Sequence, residues 1–167
     1  MKKLKVLLFI IIFLITGDIM AHQNTFSIYL PAEKIPVDQI LGKNLQEIKL
    51  QDKPILSIDD IISYDKDTHK ITLTSSAYNR FMDLDAGTPF IVCVGDERIY
   101  MGAIWSDLYS TSFGGIVISK PVKRENSVID IVLGYPSQHF FKGTDFRSDP
   151  RIFYSLEQAG KLKDNSK

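Results

Sequence analysis

One cysteine in 167 residues excludes an internal disulfide, so the fold must be held by its core. Lysine plus arginine equals aspartate plus glutamate, at 20 each. A chain so balanced has no electrostatic call on nucleic acid, whose phosphates demand clustered cations. Histidine is scarce as well: His22, His69 and His139 lie far apart. None stands in an H-x-H or H-E-x-x-H spacing, so no metal site is expected. The nucleophile-elbow, S-x-x-K and Walker patterns are missing too. No repeat, low-complexity tract or internal linker interrupts the chain.

Long apolar runs are also missing, with one exception. After the basic opening Met1–Lys5 comes "VLLFIIIFLITG", twelve residues without a charge. As a helix, at about 1.5 Å per residue, that run is too short to cross roughly 30 Å of hydrocarbon. A basic start, an apolar stretch and a small residue at Ala21 fit a secretory signal peptide over residues 1–21, cut between Ala21 and His22. An uncleaved anchor is the alternative. The expectation is a secreted or periplasmic protein with no membrane insertion once the segment is removed. The first 21 residues hold three lysines and one aspartate, which leaves the remainder a net charge of −2. Residues 22–167 are enough for a single domain, with 161–167 as a polar tail.

The remaining pattern is mostly of period two. "NTFSIYLP", the run Ile61–Tyr64, "KITLT", "GIVIS" and "VIDIVLGY" all read as strands. "LQEIKL" alternates weakly and reads as a further short strand, and "VDQILGKNL" as a helical turn that Gly42 stops. Two stretches change to helical spacing. Ala77, Tyr78, Phe81, Met82 and Leu84 predict a helix near 75–85, capped by Thr74 or Ser75 and ended by Gly87. Asp149 followed by Pro150 predicts a second helix near 150–160, with Gly160 as its stop. The fold class expected is α+β: a mostly antiparallel sheet with two helices.

The centre of that sheet is "PFIVCVGDERIYMGAIW", Pro89–Trp105, which holds the chain's cysteine and its only tryptophan. The charged "GDER" reads as the tip of a hairpin between two apolar arms. Simple alternation from either a two-residue or a four-residue turn groups Phe90, Val92, Val94, Ile99, Met101, Ala103 and Trp105 on one face. The other face carries Ile91, Cys93, Arg98, Tyr100, Gly102 and Ile104. One wholly apolar face and one mixed face imply helix packing on one side only. Cys93, between two valines, reads as a buried inert thiol.

The succession "SIDDI…SYD…KITLTSSAYNRF…GTPFIVCVGDERIYMGAIWSDLYSTSFGGIVIS" resembles the head part of the first periplasmic domain of SecD, a subunit of the protein-export channel. The matching stretches are Ile71–Thr74, Ser75–Phe81, Pro89–Trp105 and Ser110–Ser119, within about residues 57–119. That family continues into a helix rich in Glu and Ala and carries membrane helices. This chain continues as the strand-like "VIDIVLGY" instead. The resemblance implies an extracytoplasmic interaction module without catalytic residues.

The acidic pairs Asp59–Asp60 and Asp65–Asp67 read as solvated turns. "DKDTH" lacks the glycine and the distant glutamate of a calcium loop. Gly114-Gly115 precedes a strand, which speaks for a turn or bulge and against a phosphate loop. Aromatics remain: Tyr100 on the mixed face, Trp105 and Tyr109 at the hairpin's exit, and Phe113 beyond the Ser-rich loop. Phe140, Phe141 and Phe146 lie in an irregular stretch. The expectation is a non-enzymatic binding domain with no cofactor, whose binding residues are Tyr100, Trp105, Tyr109 and Phe113. The partner expected is a polypeptide or a cell-envelope component, met at the hairpin's edge or at the loop 106–115. The rivals are an envelope hydrolase using carboxylates or a histidine gathered in space, and a structural subunit of a surface assembly.

Overall fold

The computed structural model describes residues 24–106, 108–121 and 126–164. The expected signal segment lies outside these. The described chain forms one mixed sheet of nine strands: β1 Phe26–Tyr29, β2 Leu56–Ser57, β3 Ile61–Asp65, β4 Lys70–Leu73, β5 Pro89–Val94, β6 Glu97–Ser106, β7 Phe113–Lys120, β8 Val128–Tyr135 and β9 Leu162–Lys163. Their order is β2-β1-β5-β6-β7-β8-β4-β3-β9. Neighbours are antiparallel except β6–β7 and β3–β9. The helices are α1 Val37–Ile40, α2 Ser75–Met82 and α3 Pro150–Gln158. The α+β class and the two longer helices agree with the sequence reading, and α1 is a third, one-turn helix. "LQEIKL" departs from it: Leu45–Glu47 is a 3-10 turn, and only Leu50 beyond it makes a single bridge, to Pro31.

Local chemistry explains both longer helices. The Thr74 hydroxyl accepts from the Ala77 N–H at 3.3 Å, and Ala77, Tyr78, Phe81 and Met82 are buried. At the far end Lys120 Nζ donates to the carbonyls of Met82, at 2.7 Å, and Leu84. Asp149 caps α3 by accepting from the Arg151 N–H at 2.9 Å, and Pro150 occupies the first helical position, where a missing N–H costs nothing. Ile152, Ser155 and Leu156 point inward.

The sheet curls. Phe26 and Tyr64 stand on strands near opposite ends of the order, yet their rings meet edge to face at 6.3 Å. The concave face therefore closes on itself, and α3 lies across the seam. The Phe26 N–H donates to Ser155 Oγ at 2.7 Å, and Phe153 packs edge-on to Tyr64 at 6.2 Å. Beyond α3, Leu162 and Lys163, expected in a polar tail, pair parallel with Tyr64 and Asp65. The inner core takes alternate residues of β1 and β3–β8, with α2 and α3 over them.

The hairpin departs from simple alternation. Gly95, at φ 57°, takes the first turn position of a two-residue loop, where a positive φ is required. Val94 faces Glu97 and Cys93 faces Arg98, but Val92 faces Tyr100. Ile99 is thus an extra residue, a β-bulge, and every residue after it changes face. The expected set of seven splits. Phe90, Val92, Val94 and Ile99 enter the inner core with Tyr100 and Ile104. Met101, Ala103 and Trp105 join Ile91 and Cys93 on the outer face. Gly102 lies opposite Phe90. A Cβ there would stand 2.6 Å from the Phe90 ring and 2.1 Å from the Ile116 carbonyl oxygen, so only glycine fits.

Nor is the sheet covered on one side only. α1 and the segment after it place Ile40, Leu45, Ile48 and Leu50 against the outer faces of β5, β6 and β7. Arg98 fastens that segment to the hairpin tip by donating to the carbonyls of Leu45, at 3.2 Å, and Gln46. The hairpin is interior: β5 pairs with β1 and β6 with β7. An incoming peptide therefore has no hairpin edge to join. The sheet ends in the two-residue strands β2 and β9.

Candidate functional site

β6 and β7 are parallel, so the chain must travel back along the sheet between Ser106 and Phe113. Parallel neighbours normally need a crossover of about a dozen residues or more. Here the return is made between Ser106 and Phe113. The connection is a short strap that opens with a turn, the Tyr109 N–H donating to the Ser106 carbonyl at 2.9 Å. It holds two large side chains in solvent, Leu108 at 81 % and Tyr109 at 46 % exposure.

Beneath the strap is an aromatic cluster. Trp105 stacks on Phe113 at 5.4 Å and 18°, and Tyr109 leans on the same indole at 5.7 Å. Tyr135, opposite Phe113 on β8, completes the group at 6.0 Å from Trp105. Trp105 and Phe113 are buried, and Trp105 Nε1 has no hydrogen-bond partner among the described residues. Tyr109 also lines a cleft of about 520 Å³, with Pro31, Ile35, Gln51, Asp85 and Pro89 among its walls.

Three of the four expected binding residues are thus brought together. Tyr100 is not: the bulge turns it into the inner core, where it is 3 % exposed and meets Phe90 edge-on at 6.2 Å. Buried there, it presents almost no surface. Leu108, Tyr135 and the cleft walls went unread. Leu108 carried a signal, an aliphatic residue among polar ones beside Tyr109. The walls carried none, because residues 31–35 and 85–89 meet only through the fold.

The other groups with chemical potential are engaged structurally. Burial pushes the Cys93 thiol up to about 11, with Arg98 pulling it down and Asp96 pushing it further up. A thiol so protonated at neutral pH is a poor nucleophile. Asp60 accepts from the Ser57 N–H at 2.8 Å and from Arg80 at 2.9 Å. Burial pushes its carboxyl up, but those bonds outweigh it and hold it below its ordinary value. Asp65 Oδ1 accepts from the N–H groups of Asp67 and Thr68 at 3.1 and 2.8 Å, shaping the turn. His139 is exposed on a 3-10 turn. His69 is buried, with Nδ1 3.0 Å from the Tyr64 hydroxyl. No three His, Cys, Asp or Glu side chains gather for a metal among the described residues, and no described helix is long and apolar enough to cross a membrane.

Comparison with known proteins adds no relative: no family model matches the chain, and neither a curated protein nor a solved structure matches it significantly.

Proposed function

We propose that this chain acts by binding, taking an extended apolar stretch of a polypeptide at the cleft beside the strap, outside the cytoplasm. The observation that carries this reading is the pair Leu108 and Tyr109, exposed on the short connection between β6 and β7, with a concave wall that Tyr109 lines. Large apolar side chains left in water beside a concavity are the usual anchors of contact surfaces. The mixed lining, prolines and Ile35 alongside Gln51 and Asp85, suits a peptide, which offers apolar side chains and backbone polar groups together. The extracytoplasmic location rests on the pattern of residues 1–21, and the resemblance to the SecD head points to the same kind of module. Strand addition at the hairpin, the other route expected, has no support, since both hairpin edges are paired.

Trp105 is the only tryptophan and lies 5.7 Å from Tyr109, so its fluorescence reports on this cleft. Titration with a reduced, alkylated unfolded protein and with a library of short peptides should give saturable emission changes with apolar members. Leu108→Ser combined with Tyr109→Ala should weaken them about tenfold or more, the loss of one good anchor. Binding that the double variant leaves untouched, or no emission change with any peptide, overturns the reading.

A further inference from the structure

One buried side-chain polar pair stands at the seam of the sheet. Tyr64 and His69 flank the β3–β4 turn, are 1 % and 7 % exposed, and share a hydrogen bond of 3.0 Å. His69 holds a left-handed backbone, φ 56°, which places its ring parallel to Phe153 of α3 at 6.5 Å and 13°. Tyr64 in turn contacts Phe153, faces Leu162 of β9, and donates its N–H to the Lys161 carbonyl at 2.8 Å. The C-terminal arm, residues 150–164, thus meets this pair through the Phe153 ring and pairs its final strand with the β3 backbone, while Ile152 and Leu156 enter the inner core.

We propose that the Tyr64–His69 pair is an acid-sensitive latch, and that protonating His69 releases the arm from the seam. A second proton on the imidazole leaves a cation against Phe153 and Tyr64 in a site with little water, which is costly. The charges around His69 are mixed. Burial and then Arg147 hold its proton affinity below the ordinary value, while Asp145, Asp65 and Asp67 oppose them. Arg147 is itself fixed, donating to the Ile131 carbonyl at 2.8 Å and to both oxygens of Asp145. On the arm side α3 offers the uncharged Phe153, and past β9 the Lys66–Asp164 pair stands at 3.2 Å.

The sign follows from linkage. With the arm docked, His69 binds its proton less readily than when the arm is open. Docking is therefore strongest above the pH at which His69 titrates with the arm open, weakens as pH falls below it, and levels off beneath the docked-state value. The open fraction rises about tenfold for each unit separating the two states.

Amide hydrogen exchange from pH 7 to pH 4.5, corrected for intrinsic rates, tests this. Protection of residues 150–163 should fall by about tenfold for each such unit while β5 and β6 keep theirs. His69→Asn removes the titration and keeps an acceptor near the Nδ1 position, and asparagine tolerates the left-handed backbone; its arm should stay equally protected at both ends of the range. An arm in the unsubstituted protein whose protection does not change overturns the latch. So does an arm that loosens identically in His69→Asn, which would assign the effect to Asp145 and its neighbours. If His69→Asn fails to fold, the imidazole proton resonances of the unsubstituted protein decide. The His69 titration must share its midpoint with arm opening, and separate midpoints overturn the latch.

Discussion

The seam and the strap each hold four rings, and the two groups are built to opposite rules. At the seam, Phe26, Tyr64, His69 and Phe153 come from three distant parts of the chain and close the sheet on itself. Their buried polar atoms answer one another across 3.0 Å. At the strap, Trp105, Tyr109 and Phe113 come from one short stretch, joined by Tyr135. There the buried indole N–H has no partner among the described residues, and one ring stands half in water. A cluster that satisfies its polar atoms and excludes solvent is spent on stability. One that leaves a donor unpaired and a ring exposed is available for something else.

That contrast breaks first at Tyr64. Truncation to alanine removes a ring that is 1 % exposed and opens a cavity where the ends of the sheet meet. The expected cost is about 3–5 kcal/mol, read as a fall in the urea midpoint with little change in slope. A cost under about 1 kcal/mol would mean that the seam does not hold the sheet closed.

Next in size is Tyr64→Phe, which deletes only the hydroxyl and strands Nδ1 of His69 in a buried site. It should cost about 1–3 kcal/mol. Tyr100→Phe is the matched control: its hydroxyl is buried without a partner among the described residues, so losing it should be neutral or slightly stabilising. Equal costs for the two would show that the Tyr64–His69 bond contributes nothing beyond shape.

The two clusters were also unequally legible in the sequence. Thr74 and Asp149-Pro150 marked the helix starts, and Gly95 marked the turn, because caps and turns are local chemistry. Trp105, Tyr109 and Phe113 were found together for the same reason. Ile99 was not recognised as a bulge, since Ile99–Trp105 carries no charged residue whose position would reveal a slip in the alternation. That single residue moved Tyr100 inside and Trp105 outside. The seam was unreadable, because Phe26, Tyr64 and Phe153 are joined only by the curl of the sheet. β9 is two residues long, too short for any periodicity. The cover that α1 and its following segment give the outer face rests on scattered residues, Ile40, Leu45, Ile48 and Leu50, without a regular period.

The smallest expected effect on stability is at Tyr109, and it is the one that separates the clusters most cleanly. Tyr109 is 46 % exposed, and its ring leans on Trp105 at 5.7 Å. Tyr109→Ala loses one aromatic contact and part of one ring's burial, about 1 kcal/mol or less. The indole beneath it should become wetter, so Trp105 emission should shift to the red while the urea midpoint scarcely moves. A large loss of stability would make the ring a structural lid over Trp105, with the same standing as Phe153 over His69, and the strap would then be a second seam. A red shift with the fold intact leaves a residue whose exposure the fold does not need, at the mouth of a cleft that it lines.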